Sequence, residues 1–121
     1  SNYLLGEMYE LGEGANQNFN TALYYYKQSS EQGNTNAMCK LGTFYEWGQG
    51  VAKNDSIAFL QYSRAANAGN SWGQRCVSHC YYYGIGTERN IDTSEQWIKT
   101  AAKGGDVEAI NYCERNKINY K

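Results

Sequence analysis

Shifted against itself by 36 residues, the chain falls into register on its glycines. Gly12 and Gly14 meet Gly48 and Gly50, which meet Gly84 and Gly86, while Gly33 meets Gly69 and then Gly105. Tyr9, Tyr45 and Tyr81 align, as do Asn18, Asn54 and Asn90. Residues 5–34 and 41–70 share 11 identities in 30, and 41–70 share 7 with 77–106. Unrelated segments would share roughly 2. A period of this length marks a solenoid, in which one unit cannot bury its apolar face alone and about three must stack. The 121 residues hold three such units plus a remainder: one domain over 1–121, with repeats near 1–36, 37–72 and 73–108.

Each unit reads as two helices. In the second, Ala37, Leu41, Phe44, Tyr45 and Gly48 fall within one arc of a helical wheel, the spacing of a buried stripe. This predicts a helix A over 35–47, broken by Gly48-Gln49-Gly50, where glycine can take the left-handed conformation that ends a helix. Asn54 stands at the N-cap of a helix B over 55–68, with Ala58, Tyr62, Ala65 and Ala66 on one face and Gly69 at its end. The same layout puts A helices at 3–11 and 72–83, B helices at 19–32 and 91–103, and a terminal helix A at 107–118. The first of these has no residue ahead of it to serve as a cap, and the last has no helix B. Both features suggest a fragment or modified ends.

Composition narrows the class. Lys+Arg is 11 and Asp+Glu is 12, which argues against a nucleic-acid binder. No stretch reaches the ~18 apolar residues of a membrane helix, and no signal peptide is visible. An aromatic content of 15% points to a packed fold.

The run Ala37, Leu41-Gly42, Tyr45, Gly48-Gln49-Gly50-Val51, Asn54, Ala58, Tyr62, Ala65-Ala66 and Gly69 resembles a Sel1-like repeat. The resemblance recurs three times and ends in a fourth helix A. Repeat 1 departs at Ala15 and Ser29-Ser30. Repeat 3 departs further, at Val77-Ser78, Thr87 and Ser94. All three carry Asn where the family usually has Asp before helix B. The resemblance implies an all-α, right-handed α/α superhelix that binds other proteins. It carries no shared catalytic residues, so the chain is expected not to be an enzyme and to need no cofactor.

In such a solenoid the A helices line the concave surface, the usual docking site. The wheel puts positions 39, 43 and 46 opposite the core. Their counterparts are Tyr3, Glu7 and Glu10 in repeat 1, Arg75, His79 and Tyr82 in repeat 3, then Asn111 and Arg115. Read along the strip, the surface runs from acidic (Glu7, Glu10, Glu46) to basic and aromatic. A flanking column holds Leu4, Leu11, Lys40, Trp47, Cys76, Tyr83 and Tyr112. Exposed aromatics and Arg are enriched at binding hot spots. The expected site is therefore a groove for an extended peptide or helix, anchored on Trp47, Tyr82 and Tyr83. The competing reading has Trp47 and Tyr83 packed on the next repeat. Among the remaining tyrosines, Tyr26 should be buried and Tyr24 should point outward.

Chemistry finds little purchase. Cys76, His79 and Cys80 lie on neighbouring helix positions, and Cys113 could in principle complete a zinc set. However, Cys80 aligns with Met8 and Phe44, and Cys113 with Leu5, Leu41 and Val77. Those are apolar columns that mark both cysteines as core fillers, and no metal is expected. Disulfides involving Cys39, Cys76 or Cys113 stay open. The glycine loops follow helices and lack the Lys-Ser/Thr of a phosphate loop. Three functions follow: a non-catalytic scaffold holding protein partners on its concave face, an inhibitor or immunity-type protein binding one enzyme, or a secreted disulfide-containing protein.

Overall fold

The computed structural model describes residues 1–12 and 17–121. Gly14 and Ala15 lie outside the described residues. Among the described residues seven helices follow one another: α1 (Asn2–Leu11), α2 (Phe19–Glu31), α3 (Thr35–Trp47), α4 (Asp55–Asn67), α5 (Ser71–Tyr83), α6 (Ile91–Lys103) and α7 (Val107–Arg115). They form three antiparallel pairs and a terminal helix, each packed on its neighbours in the chain. No strand occurs among the described residues. None of these helices is long and apolar enough to cross a membrane.

The expected caps form. Asn18, Asn54 and Asn90 hold extended backbone, and their side-chain oxygens accept from the amides of Thr21, Ile57 and Thr93. Their own amides donate to the carbonyls of Tyr9, Tyr45 and Tyr81 at 2.7, 2.8 and 2.8 Å. Each helix B is thereby stitched to the helix A before it, three times in the same way.

A second set of caps, not singled out in the sequence, starts the A helices. Asn34, Asn70 and Asp106 accept from the amides of Ala37, Gly73 and Ala109. Asn70 also reaches back, donating to Asn36 at 2.7 Å and Thr35 at 2.9 Å on the preceding helix A. The expectation that α1 starts uncapped is corrected, because the Ser1 hydroxyl accepts from the Leu4 amide. The terminal helix also stops earlier than the expected 118. Lys117 turns into the left-handed region at φ 56, and the Ile118 amide closes on the Cys113 carbonyl at 2.8 Å. Ile118 and Tyr120 then fold back onto the third core.

The core repeats with the sequence. Tyr26 lies on Gly6 and Tyr62 on Gly42, so close that a Cβ on either glycine would come within 2.7 or 2.5 Å of the ring. Between repeats, Phe44 meets Tyr26 edge-on at 5.6 Å, and Phe59 meets Tyr81 at 5.5 Å. The expected burial of Tyr26 and exposure of Tyr24 both hold. The Gly-x-Gly loops do more than turn the chain. Gly86, at φ +69, rests on α4 of the preceding repeat, where a Cβ would press on the Asp55 carbonyl and come within 2.7 Å of Phe59. Gly69 has a comparable φ of +92 but open space around it.

The two glycines should therefore respond differently to alanine. Gly69→Ala is expected to cost about 1–2 kcal/mol from the left-handed backbone alone. Gly86→Ala adds a collision between repeats and is expected to cost about 3 kcal/mol or more. Urea denaturation of the two variants measures the difference, and an equal loss would show that the loop does not join the repeats.

Candidate groove on the inner face

Tyrosine, glutamate and glycine work together on the inner face of the first two repeats. The Tyr26 hydroxyl donates to Glu10 Oε1 at 2.5 Å, and the Tyr62 hydroxyl to Glu46 Oε1 at 2.8 Å. Each pair spans 16 residues and ties helix B to helix A. A basic side chain from the next helix A then approaches each carboxylate. Lys40 Nζ lies 3.1 Å from Glu10, and His79 Nε2 lies 3.6 Å from Glu46. The contacts from His79 and Tyr62 hold the Glu46 carboxyl below the ordinary glutamate range, against the opposing effect of its burial.

Arg75 makes the corresponding tie further along. Its Nε meets Asp106 Oδ2 at 2.8 Å and its Nη1 meets Glu108 Oε2 at 2.9 Å. Asp106 also caps α7 through the Ala109 amide, so this network seats the start of α7 on α5.

Beyond these ties the inner face opens into a groove of about 860 Å³. One wall is the end of α3, with Thr43, Glu46 and Trp47. The other walls are α5, with Trp72, Arg75, His79, Tyr82 and Tyr83, and α7, with Asn111, Tyr112 and Arg115. Ser78, Ser94 and Ile98 also line it. Trp47 and Tyr83 are 69% and 63% exposed, which places them as rims of the opening and not as packing against the next repeat. His79, Tyr83 and Tyr82 form a chain of ring contacts at 4.8 and 4.9 Å.

Of the residues expected at the docking surface, Glu46, Trp47, Arg75, His79, Tyr82, Tyr83 and Arg115 all line this one groove. Glu7 and Glu10 do not; they sit on α1, with Glu10 engaged by Tyr26 and Lys40. The expected gradient of free charge is thus largely consumed by internal pairing. Cys39, expected opposite the core, is fully buried in a cluster with Met38, Ala65 and Trp72. Neighbouring A helices pack against each other there, and the Trp72 indole helps close the seam. Trp72 and the α6 floor residues Ser94 and Ile98 were not among the expected groove residues. The departures at Ser78 and Ser94 were the available signal for the floor.

The four cysteines are free thiols. Cys80 and Cys113 fill the second and third cores, as their columns implied. Burial pushes the Cys39 and Cys80 thiols up to about 12, and raises those of Cys76 and Cys113 as well. Raised values of this kind suppress thiolate chemistry. No group of three or more His, Cys, Asp or Glu among the described residues is placed to hold a metal ion.

The family model of the Sel1 repeat matches residues 1–34, 35–70 and 73–106. The chain belongs to the Sel1 repeat family. Sel1 repeat proteins are generally scaffolds for protein–protein interaction. Among solved structures, the chain is similar to a protective antigen present in uropathogenic Escherichia coli strains that displays an SLR fold. That match has a TM-score of 0.86 and 30% identity, and covers 93% of this chain but 25% of the other. This chain therefore spans about a quarter of the antigen's length. It is also similar to a Sel1 repeat protein from Oxalobacter formigenes, with a TM-score of 0.82, 30% identity and coverage of 94% and 86%. Helicobacter pylori cysteine rich protein B shares the fold, with a TM-score of 0.76, 24% identity and coverage of 90% and 89%. A search of the curated proteins found no match.

The Glu46 network makes a pH prediction. A carboxyl whose folded pKa is lowered contributes stability that is fully present above the ordinary glutamate range. That contribution is lost as pH falls through the folded value. Glu46→Gln is expected to lower stability near neutrality by about 1 kcal/mol. It should also flatten the acid limb, so that in denaturant titrations the two proteins converge once the pH has fallen through the folded pKa of Glu46. Parallel curves would show that the contacts around Glu46 do not favour its charged form.

Proposed function

We propose that this Sel1 repeat chain is a non-catalytic scaffold that holds a peptide segment of a protein partner in the groove between α3, α5 and α7. The observation that carries the reading is the pair Trp47 and Tyr83, two large aromatics left exposed at one repeat position on adjacent A helices. Beneath them the polar groups are already engaged with one another. Such rigid aromatic rims over a satisfied polar base have the character of binding hot spots. Arg75 and His79 belong to the frame of the groove, since both are engaged with carboxylates of the chain itself.

Peptides selected from a displayed random library on the purified protein test the reading. Trp47→Ala and Tyr83→Ala are each expected to weaken the selected peptides about tenfold or more, a loss of about 1.4 kcal/mol. Helicity and melting temperature should stay unchanged. The outer-face variants Tyr24→Ser and Leu60→Ser serve as controls. Loss of binding in those variants, with retention in the groove variants, would place the docking surface elsewhere. Arg75→Ala is a poorer probe, because it also releases the start of α7.

A further inference from the structure

We propose that the groove's floor beside Ile98 is a socket for one uncharged aromatic side chain of the docked segment, filling space that the chain's own tyrosine fills in the other two repeats. The proposal rests on the groove being the docking surface. It comes from setting four repeat positions side by side. The first two repeats read Gly6, Glu10, Ala22, Tyr26 and Gly42, Glu46, Ala58, Tyr62; the third reads Ser78, Tyr82, Ser94, Ile98. All four positions change together.

In the first two repeats the ring crosses a bare glycine, and its hydroxyl ends on the carboxylate of helix A. The tyrosine thus spans from helix B to the inner face and closes it. In the third repeat the branched Ile98 side chain stops short of that face. Ser78 and Ser94 turn their hydroxyls onto each other's backbone carbonyls, at 2.7 and 2.8 Å. Tyr82 has no hydroxyl partner from helix B. It stands 39% exposed, edge-on to Tyr83, with the Arg89 guanidinium 5.9 Å from its ring. The space between Tyr82 and Tyr112 is therefore open down to Ser94 and Ile98.

Charge complementarity selects the occupant. The floor residues Ser78, Ser94 and Ile98 carry no ionisable group and the two hydroxyls are already bonded, while Glu95 at the border is exposed and faces Lys99 at 3.7 Å. Among the described residues no buried side-chain nitrogen or oxygen lacks a partner. An anionic side chain would meet the Glu95 carboxylate that borders the site, and a cationic one would find that carboxylate already facing Lys99, so either would be desolvated over an aliphatic base without a free counter-charge. A phenyl or phenol ring meets an aliphatic base and two aromatic walls, the contacts such rings favour.

The test uses side-chain analogues with NMR of the intact chain. p-Cresol and toluene stand for tyrosine and phenylalanine, n-propylguanidinium for arginine, and propionate for glutamate. The expected result is saturable shifts at the Ile98 methyls, Ser94 and Tyr112 with p-cresol and toluene only. Ser78→Gly with Ile98→Tyr restores two of the four positions, the bare glycine and the ring that crosses it. It should keep the fold and weaken p-cresol at least tenfold. The selectivity among analogues on the unsubstituted chain decides the matter even if that variant misfolds. A preference for n-propylguanidinium or propionate, or unchanged p-cresol binding in the folded variant, overturns the socket. Groove-dependent library peptides that share no aromatic residue, together with no p-cresol shift, overturn the socket and leave the groove reading standing. Library peptides that ignore Trp47 and Tyr83 overturn the groove reading and the socket's role in docking with it.

Discussion

A tyrosine ring laid on a bare glycine Cα sets the distance between the two helices of a Sel1 unit. In the first two repeats the ring could not occupy its place if the glycine carried even a methyl group. The close approach brings the hydroxyl within reach of a glutamate four residues, about one turn, further along the glycine's own helix, and the bond fixes the pair's rotation. Burial of the ring supplies the apolar contact, and the carboxylate satisfies the one polar atom that burial would otherwise strand. Where this arrangement is complete the ring is buried, at Tyr26 and at Tyr62.

The groove begins where that arrangement is absent. Glu46, the last carboxylate of the ladder, is held by Tyr62 on one side and faced by His79 on the other, so it marks the boundary between sealed and open surface. Arg75 then takes over as the tie between successive A helices, using Asp106 and Glu108 on the far side. The aromatic rims are therefore carried on helices whose relative positions are set by buried or half-buried polar bonds. A binding surface needs such rigidity if contacts are not to be offset by ordering costs.

Much of this was legible in the residues. The helices at 35–47 and 91–103 match the expected bounds to the residue: Gly48 marks the end of the first and Asn90 the start of the second, and both residue types act locally. The seven expected residues that line the groove were found because helical periodicity separates an inner from an outer face. Three things escaped. The end of α7 is set by Lys117 in a left-handed conformation, which no glycine announces. The burial of Cys39 depends on bulk from Trp72, a residue of the next helix A. The charges of Glu10 and Arg75 are neutralised by partners 30 or 31 residues away, and a wheel drawn for one helix does not contain them. The floor is the instructive case: its departures were visible as weak repeat matches, but their meaning lay in four positions changing at once.

The bonds from the amides of Asn18, Asn54 and Asn90 to the carbonyls of Tyr9, Tyr45 and Tyr81 run from main chain to main chain. Their geometry does not consult the side chains that face the inner surface. The scaffold's pitch and its surface chemistry are thus separately editable, and one unit can change character while its neighbours keep their places. The third repeat has done so at four positions without losing its stitch. Transplanting those four residues into the second unit, and the second unit's residues into the third, would move the opening one step along the solenoid and leave the backbone where it stands.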